Sequence, residues 1–280
     1  MSRRFLLACV QLHSTNDLQH NLERCRHWIR QAAERSVELV ILPEDFGYMA
    51  VLEKEKLNLS AGELARIKES IREEAIRYGI HILAGGYPTQ ADDGERLTNT
   101  ATLFSPTGEE LAHYNKIHLF DADPPGLPPL RESDLIQPGN EVCVVKTELC
   151  TLGLSICYDL RFPEMYRALA LQGAELITVP AAFTLTTGKD HWRVLLRARA
   201  IENQCYVAAA GQWGRHSDKR HSFGMSLVSD PWGTVVACAS EGEGLAVAEF
   251  QPPRIEKVRE TVPCRRHIRR DIFAGLPEQS

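Results

Sequence analysis

Apolar and polar positions along the chain switch between two periods, and the switching predicts alternating strands and helices. Residues 5–10, Phe-Leu-Leu-Ala-Cys-Val, form the short unbroken apolar run that a strand covered on both faces requires. Leu18, Leu22, Cys25, Ile29 and Ala32 recur at steps of three and four, drawing one apolar face along a helix. Val37-Glu-Leu-Val-Ile-Leu42 reads as a second buried strand, stopped by Pro43. A polar, charge-rich helix is predicted over residues 63–78, with Gly79 placed to close it. Residues 80–84 and 101–104 read as strands separated by a turn at Asp92-Asp-Gly94, and Ser105-Pro-Thr-Gly108 makes another turn.

Residues 121–140 break the pattern and are rich in Pro and Gly over 123–129. A structureless stretch of that length inside a compact domain marks either function or disorder. The alternation resumes with a buried strand over 151–156 and a helix that opens on Pro163 and ends at Gly173. A strand over 175–179, an Arg-studded helix over 190–203 and a strand over 206–210 follow, and two more strands flank a hairpin turn at Asp230-Pro-Trp-Gly233. Neither a linker nor a short repeat divides the chain. The expectation is an α/β fold in one domain spanning residues 1–280.

Composition narrows the class without naming a reaction. Apolar residues at 44% and charged residues at 25% suit a folded globular protein. The 32 basic and 37 acidic residues leave a net charge of −5, and the one basic cluster, residues 265–270, is short. A nucleic-acid partner is therefore not expected, because phosphate binding needs a basic stripe over one face. The eight cysteines include no CxxC pair and sit mostly in apolar runs, the behaviour of buried free thiols in a reducing compartment. No apolar run is long enough for a membrane span or a secretion signal, so no membrane partner is expected and the cytoplasm is the expected location.

Three positions invite chemistry. Cys157 follows the strand at 151–156 and precedes the helix opening at Pro163, so it stands at a strand-to-helix corner where a nucleophile is held rigidly near backbone N–H groups. That setting is also expected to lower the thiol pKa. By position alone, Cys157 is equally readable as one more buried cysteine. Glu44 ends an apolar strand, where α/β proteins place their sites, yet a solvated loop carboxylate fits that position too. Lys116, in His113-Tyr-Asn-Lys-Ile-His118, follows a strand, and such lysines ordinarily lie on the surface. Among the ten histidines, the pairs His113/His118 and His216/His221 lack metal-site spacing, so no metal or other cofactor is expected. His13, His20 and His27 repeat every seven residues and read as a solvated helix flank.

Taken together, Leu42-Pro-Glu-Asp45, Tyr114-Asn-Lys-Ile-His118 and Leu154-Ser-Ile-Cys-Tyr-Asp-Leu-Arg-Phe-Pro-Glu164 resemble the nitrilase superfamily of carbon–nitrogen hydrolases, in the family's order of Glu, Lys and Cys. Thr98-Asn-Thr-Ala101, Glu132-Ser133, Gly188-Lys-Asp-His-Trp192, Arg197-Ala-Arg-Ala-Ile-Glu202, Asp230-Pro-Trp-Gly233 and the stretch 267–273 extend the likeness over about residues 4–273. The resemblance implies a four-layer αββα sandwich, although a doubly wound single sheet would fit the strand pattern. It also implies a homodimer or larger homo-oligomer, paired through helices near 165–171 and 190–203. By the same resemblance Cys157 is the nucleophile, Glu44 the general base, Lys116 the cationic stabiliser and Glu132 an aid to the other three.

Within the superfamily, Arg161-Phe-Pro-Glu164, residues 195–207 and Gly211-Gln-Trp-Gly-Arg-His216 resemble the deaminated glutathione amidase branch. True nitrilases typically carry Trp-Glu after the nucleophile, where this chain has Tyr158-Asp159. The omega-amidase branch, which acts on 2-oxoglutaramate, shares Thr186-Thr-Gly188 and His191-Trp192 but usually has alanine where Pro163 stands. The implied reaction splits a small amide substrate, the 2-oxoglutaryl amide of cysteinylglycine, into 2-oxoglutarate and the dipeptide, a metabolite repair. Two substrate carboxylates call for donors. Tyr158, Arg161, Thr187, Lys189 and His191 are the candidates, with residues 212–222 as a polar rim. Arg161 could equally buttress the corner beside Asp159 and Glu164. A non-catalytic binding module of this type would be expected to lack a triad residue, and none is missing.

Overall fold

The computed structural model describes residues 2–123, 130–218, 220–269 and 271–272. Most of the Pro- and Gly-rich stretch, 124–129, and the end of the family-like segment, Arg270 and Phe273, lie outside the described residues. In chain order the main elements begin with β1 (Phe5–Gln11), α1 (Leu18–Ala33), β2 (Leu39–Ile41), α2 (Ala61–Tyr78), β3 (His81–Gln90), β4 (Leu97–Phe104) and β5 (Glu110–Asn115). They continue with β6 (Cys143–Lys146), β7 (Thr151–Leu154), α3 (Pro163–Leu171), β8 (Leu176–Ala181), α4 (Arg193–Asn203), β9 (Tyr206–Gly211), β10 (Leu227–Ser229), β11 (Val235–Cys238), β12 (Gly244–Phe250) and α5 (Pro252–Thr261).

The strands assort into two six-stranded sheets, ordered β12-β1-β2-β3-β4-β5 and β11-β10-β9-β8-β7-β6. Each has a parallel centre, β1-β2-β3 in one and β7-β8-β9 in the other, with antiparallel strands at its edges. Side chains on a strand alternate between faces. In the first sheet Ala8, Val10, Val40 and Ile82 pack with Leu22, Ile29, Ile67 and Ile71 of α1 and α2. Their neighbours Leu7, Cys9, Leu39 and Ile41 join the core of the second sheet, where the Cys9 thiol reaches Leu227 O at 3.8 Å. Leu169 of α3 and Leu196 and Ala200 of α4 belong to that second core, and Leu169 lies against Gly153 of β7. The layers therefore run helix, sheet, sheet, helix, the αββα sandwich, and the single doubly wound sheet is excluded. Burying each Leu or Ile contributes about 1.5–3 kcal/mol, so two-faced burial explains why the central strands read as unbroken apolar runs.

The expected helices form close to their predicted bounds. Helix α2 starts two residues early, at Ala61, because Ser60 and Glu63 make a reciprocal capping box, and Gly79 ends it with φ 62°. The predicted helix over 190–203 has a π-turn, Gly188–Trp192, before regular α4. The β3–β4 hairpin is longer than its apolar pattern suggested. Its extension carries threonines, and Thr89 Oγ1 lies 2.5 Å from Thr98 Oγ1 and 2.9 Å from Thr100 Oγ1 across the pair. Hydroxyl pairing substitutes there for apolar contact, which a hydrophobicity pattern does not register.

Strand β3 bulges between Ala84 and Tyr87 as it passes the turn that follows β2. A Cβ on Gly85 would stand 2.3 Å from both Leu42 O and Pro43 O, and backbone atoms cannot step aside. Gly85→Ala should therefore displace the segment leading into Glu44 and destabilise the fold by about 1–3 kcal/mol, the usual cost of overpacking. Urea unfolding checks this, and an unchanged midpoint would contradict the close approach.

Candidate active site

The ends of β2, β5, β7 and β8 meet at one edge of the paired sheets, and each delivers one group to a common spot. Glu44 comes two residues after Leu42, which still bonds to β3 through Leu83 O at 3.0 Å. Lys116 directly follows β5, its N–H donating to Asn99 O at 2.9 Å. Cys157 opens a 3₁₀ turn, Cys157–Arg161, after β7, and Ala182 directly follows β8.

The Lys116 ammonium donates to Glu44 Oε1 at 3.1 Å and to both Glu132 oxygens at 3.0 and 2.8 Å. Asn99 Nδ2 reaches the same two carboxylates, at 2.8 and 3.2 Å. The second Glu44 oxygen accepts the Ala182 N–H at 2.9 Å, and Glu132 Oε2 also accepts the Phe120 N–H at 2.6 Å. The Cys157 thiol lies beside Glu44 and the Ala182 N–H. Exposure of the Lys116, Glu44 and Glu132 side chains is only 2%, 5% and 15%. Lys116, read from its position as a surface residue, is thus sealed in, because two carboxylates meet there and need its charge.

Burial decides the protonation states together with these partners. It pushes the Glu44 carboxyl up, but Lys116, the thiol hydrogen bond, Lys56 and the Ala182 N–H outweigh it and hold the group below its usual range. Burial pulls the Lys116 ammonium down, and Glu132 and Glu44 more than reverse that. For Cys157, burial and then the Glu44 charge hold the thiol well above its ordinary range, with Lys116 opposing. The corner was expected to lower this pKa, and the reverse is found, since burial and the Glu44 charge outweigh the opposing Lys116 and Ala182 N–H. The resting state is a neutral thiol, a carboxylate and an ammonium, an arrangement able to pass the thiol proton to Glu44 as the sulfur attacks.

The corner itself is strained, with Cys157 at φ 46°. Asp159, fully buried, braces it by accepting the Ile156 N–H at 2.8 Å and the Tyr114 hydroxyl at 2.7 Å on Oδ2. On Oδ1 it accepts the His118 N–H at 3.1 Å, with His118 Nδ1 2.7 Å away. One carboxylate thereby ties the thiol corner to the segment that carries Lys116. Arg199 adds two bonds to Leu160 O, at 3.0 and 2.8 Å.

The substrate-binding candidates divide. Arg161 Nη1 lies 3.2 Å from His191 Nδ1, and its guanidinium sits 5.8 Å from the Tyr158 ring centre and 5.0 Å from that of Phe183. Tyr158 lies edge-on to Phe120 and Phe162. Tyr158, Arg161 and His191 thus form one cluster beside the thiol corner, and Asp159, with its oxygens bonded elsewhere, leaves the Arg161 guanidinium to aromatic rings. Thr187 instead ends a short turn that Thr184 caps, its hydroxyl 2.8 Å from Thr184 Oγ1, and Lys189 is exposed. The expected rim at 212–222 does not begin with a rim residue. Gln212 is fully buried and donates to Glu44 O at 3.0 Å and to Ser14 Oγ at 2.8 Å, because a carbonyl in a turn finds no partner in a sheet.

Asn99, Asp159 and the Ala182 N–H were not picked out from sequence as parts of the site. Asn99 did carry a signal, since Thr98, Asn99, Thr100 and Thr102 are all buried polar residues on one strand. Among the described residues no group of three or more His, Cys, Asp or Glu is placed to hold a metal ion, and no helix is long and apolar enough to cross a membrane.

The carbon-nitrogen hydrolase family model matches residues 6–260. The deaminated glutathione amidase of Synechocystis sp. is 44% identical over 266 residues, covering 94% of this chain and 97% of that protein. The omega-amidase NIT2 of Danio rerio is 35% identical over 273 residues, covering 97% of each. The crystal structure of the C. elegans NitFhit protein superposes with a TM-score of 0.93 at 40% identity, covering 100% of this chain and 68% of that one.

Replacing Glu44 by Gln removes the negative neighbour that helps raise the Cys157 thiol. The midpoint of the pH–rate profile for iodoacetamide alkylation of Cys157 should then move to lower pH. An unchanged or higher midpoint would contradict this charge assignment.

Proposed function

The chain belongs to the carbon-nitrogen hydrolase family, and on that premise we propose that it is an amidase for deaminated glutathione, releasing 2-oxoglutarate and cysteinylglycine. The observation that carries the reading is the buried Glu44–Lys116 ion pair with the partly buried Cys157 thiol beside it at the strand ends. The 44% identity to a deaminated glutathione amidase, against 35% to an omega-amidase, supports the choice of substrate.

In this reading Glu44 takes the thiol proton as Sγ attacks the amide carbonyl. Lys116 and the N–H groups at Tyr158 offset the oxyanion charge. The C–N bond then breaks, cysteinylglycine leaves with the proton carried by Glu44, and a thioester remains on Cys157. Water, deprotonated by Glu44, attacks the thioester, and Sγ leaves and regains the proton. Glu132 keeps Lys116 charged and aimed throughout.

The 2-oxo acid half of the substrate ends in a carboxylate, and Arg161 with His191 is the cationic group beside the corner suited to it, with Thr187 as a further donor. The helix α4 leaves Val194 and Ile201 exposed, with Ile201 against Gly233 of the turn that carries the exposed Trp232, which favours pairing of two copies through this face. Eight unbridged cysteines favour a reducing, cytoplasmic setting.

Cys157→Ala should abolish release of cysteinylglycine from deaminated glutathione, and Lys116→Ala should reduce kcat by roughly two orders of magnitude or more while the protein stays folded. Assayed side by side, deaminated glutathione should show a higher kcat/KM than 2-oxoglutaramate. The opposite ranking, with ammonia released faster, would make the chain an omega-amidase.

A further inference from the structure

Asp45 immediately follows Glu44, adopts a left-handed backbone with φ 58° and is almost fully buried. Its two oxygens are held by cations from two different loops. Lys56, on the 3₁₀ turn Glu53–Asn58, donates to Oδ1 at 2.7 Å, and Arg220, before the strand His221–Phe223, donates to Oδ2 at 2.9 Å. Glu53 closes the ring, accepting Lys56 at 2.9 Å and pairing with Arg220, whose other nitrogen also donates to Ala50 O at 3.3 Å.

We propose that the ring of Asp45, Lys56, Arg220 and Glu53 is a positioning device for Glu44, clamping three loops so that the base keeps its angle to Cys157. The inference rests on Glu44 being the base. A buried ion pair gains little stability over an apolar pair of the same shape, because removing both charges from water offsets their attraction. What it adds is direction, since each Asp45 oxygen must meet one donor from one loop. Two other segments hold the peptide that joins Glu44 to Asp45. The Asp45 N–H donates to Gly86 O at 2.6 Å, and Gln212, just before the strand Trp213–Arg215 that pairs with His221–Phe223, donates to Glu44 O. With the peptide that joins it to Asp45 held at both its N–H and its C=O, Glu44 adjusts mainly through its own side-chain torsions. The ring also acts by charge. The groups facing Glu44 are Lys116 and Cys157 from the strand ends, Glu132 through the shared lysine and Asn99, Asp45 beside it, and the two ring cations. Among these, Lys116 favours the ionised carboxylate most, followed by Cys157 and then, from the ring, Lys56.

The test compares the full-length wild-type chain with Lys56→Met, Lys56→Arg and Arg220→Gln, following kcat and KM on deaminated glutathione over the acidic limb of the pH profile, with Tm measured in parallel. Lys56→Met should lower kcat roughly ten-fold or more, in line with a sub-ångström misplacement of a catalytic group, with KM little changed. Its acidic limb should move to higher pH, because losing a cation makes the carboxyl harder to ionise, and Lys56→Arg should restore most of both. Should Lys56→Met fail to fold, Arg220→Gln, at the partly exposed corner of the ring, carries the same expectation. Folded variants with wild-type kcat and an unmoved acidic limb would overturn the ring's role while leaving Glu44 as base. Absence of amide turnover by the wild type would overturn both.

Discussion

One cation shared between two carboxylates in a place closed to water governs the rest of the site. Glu44 and Glu132 could not both stay ionised so close together and so deeply buried without Lys116 between them, and removing it would leave charge uncompensated at a cost of about 3–5 kcal/mol. Its position therefore constrains three segments far apart in the chain. It also bears on the proton inventory, because its charge keeps Glu44 ionised, and burial together with that ionised Glu44 holds the proton on Cys157 against the opposing pull of Lys116.

The scaffold makes that contact possible by stacking two sheets with parallel centres, so that several strands finish at one edge. Alternation along β1 and β2 sends one set of side chains to the outer helices and the other to the second sheet. Atoms are then placed by polar braces more than by the core. Asp159 joins the thiol corner to His118 and hence to the Lys116 segment, Gln212 holds the Glu44 carbonyl, and Asn99 spans the two glutamates. Each brace satisfies a polar group that would otherwise be buried without a partner, so site geometry and fold stability share the same bonds.

Much of this could be read in advance. Periodicity located the helices and central strands, and the order of Leu42-Pro-Glu-Asp45, Lys116 and Cys157 pointed to the hydrolase class and its layered sandwich. The misjudgements share a physical origin. The thiol was assigned a lowered pKa and Gln212 was placed in a rim, in each case because a residue's environment was inferred from its neighbours in sequence. The threonine-rich extension of the β3–β4 hairpin escaped for a related reason, since its stabilising partners lie on the opposite strand.

Local order along the chain thus determined which elements form, where they stop and which reactive residues stand at their ends. These depend on backbone preferences and on one-dimensional apolar patterning. Tertiary structure alone decided which charges meet, how dry their meeting place is and which way each proton equilibrium leans. Electrostatic energy depends on distances and dielectric surroundings that the fold creates, and the 72 positions separating Glu44 from Lys116 in sequence become 3.1 Å between their charged atoms.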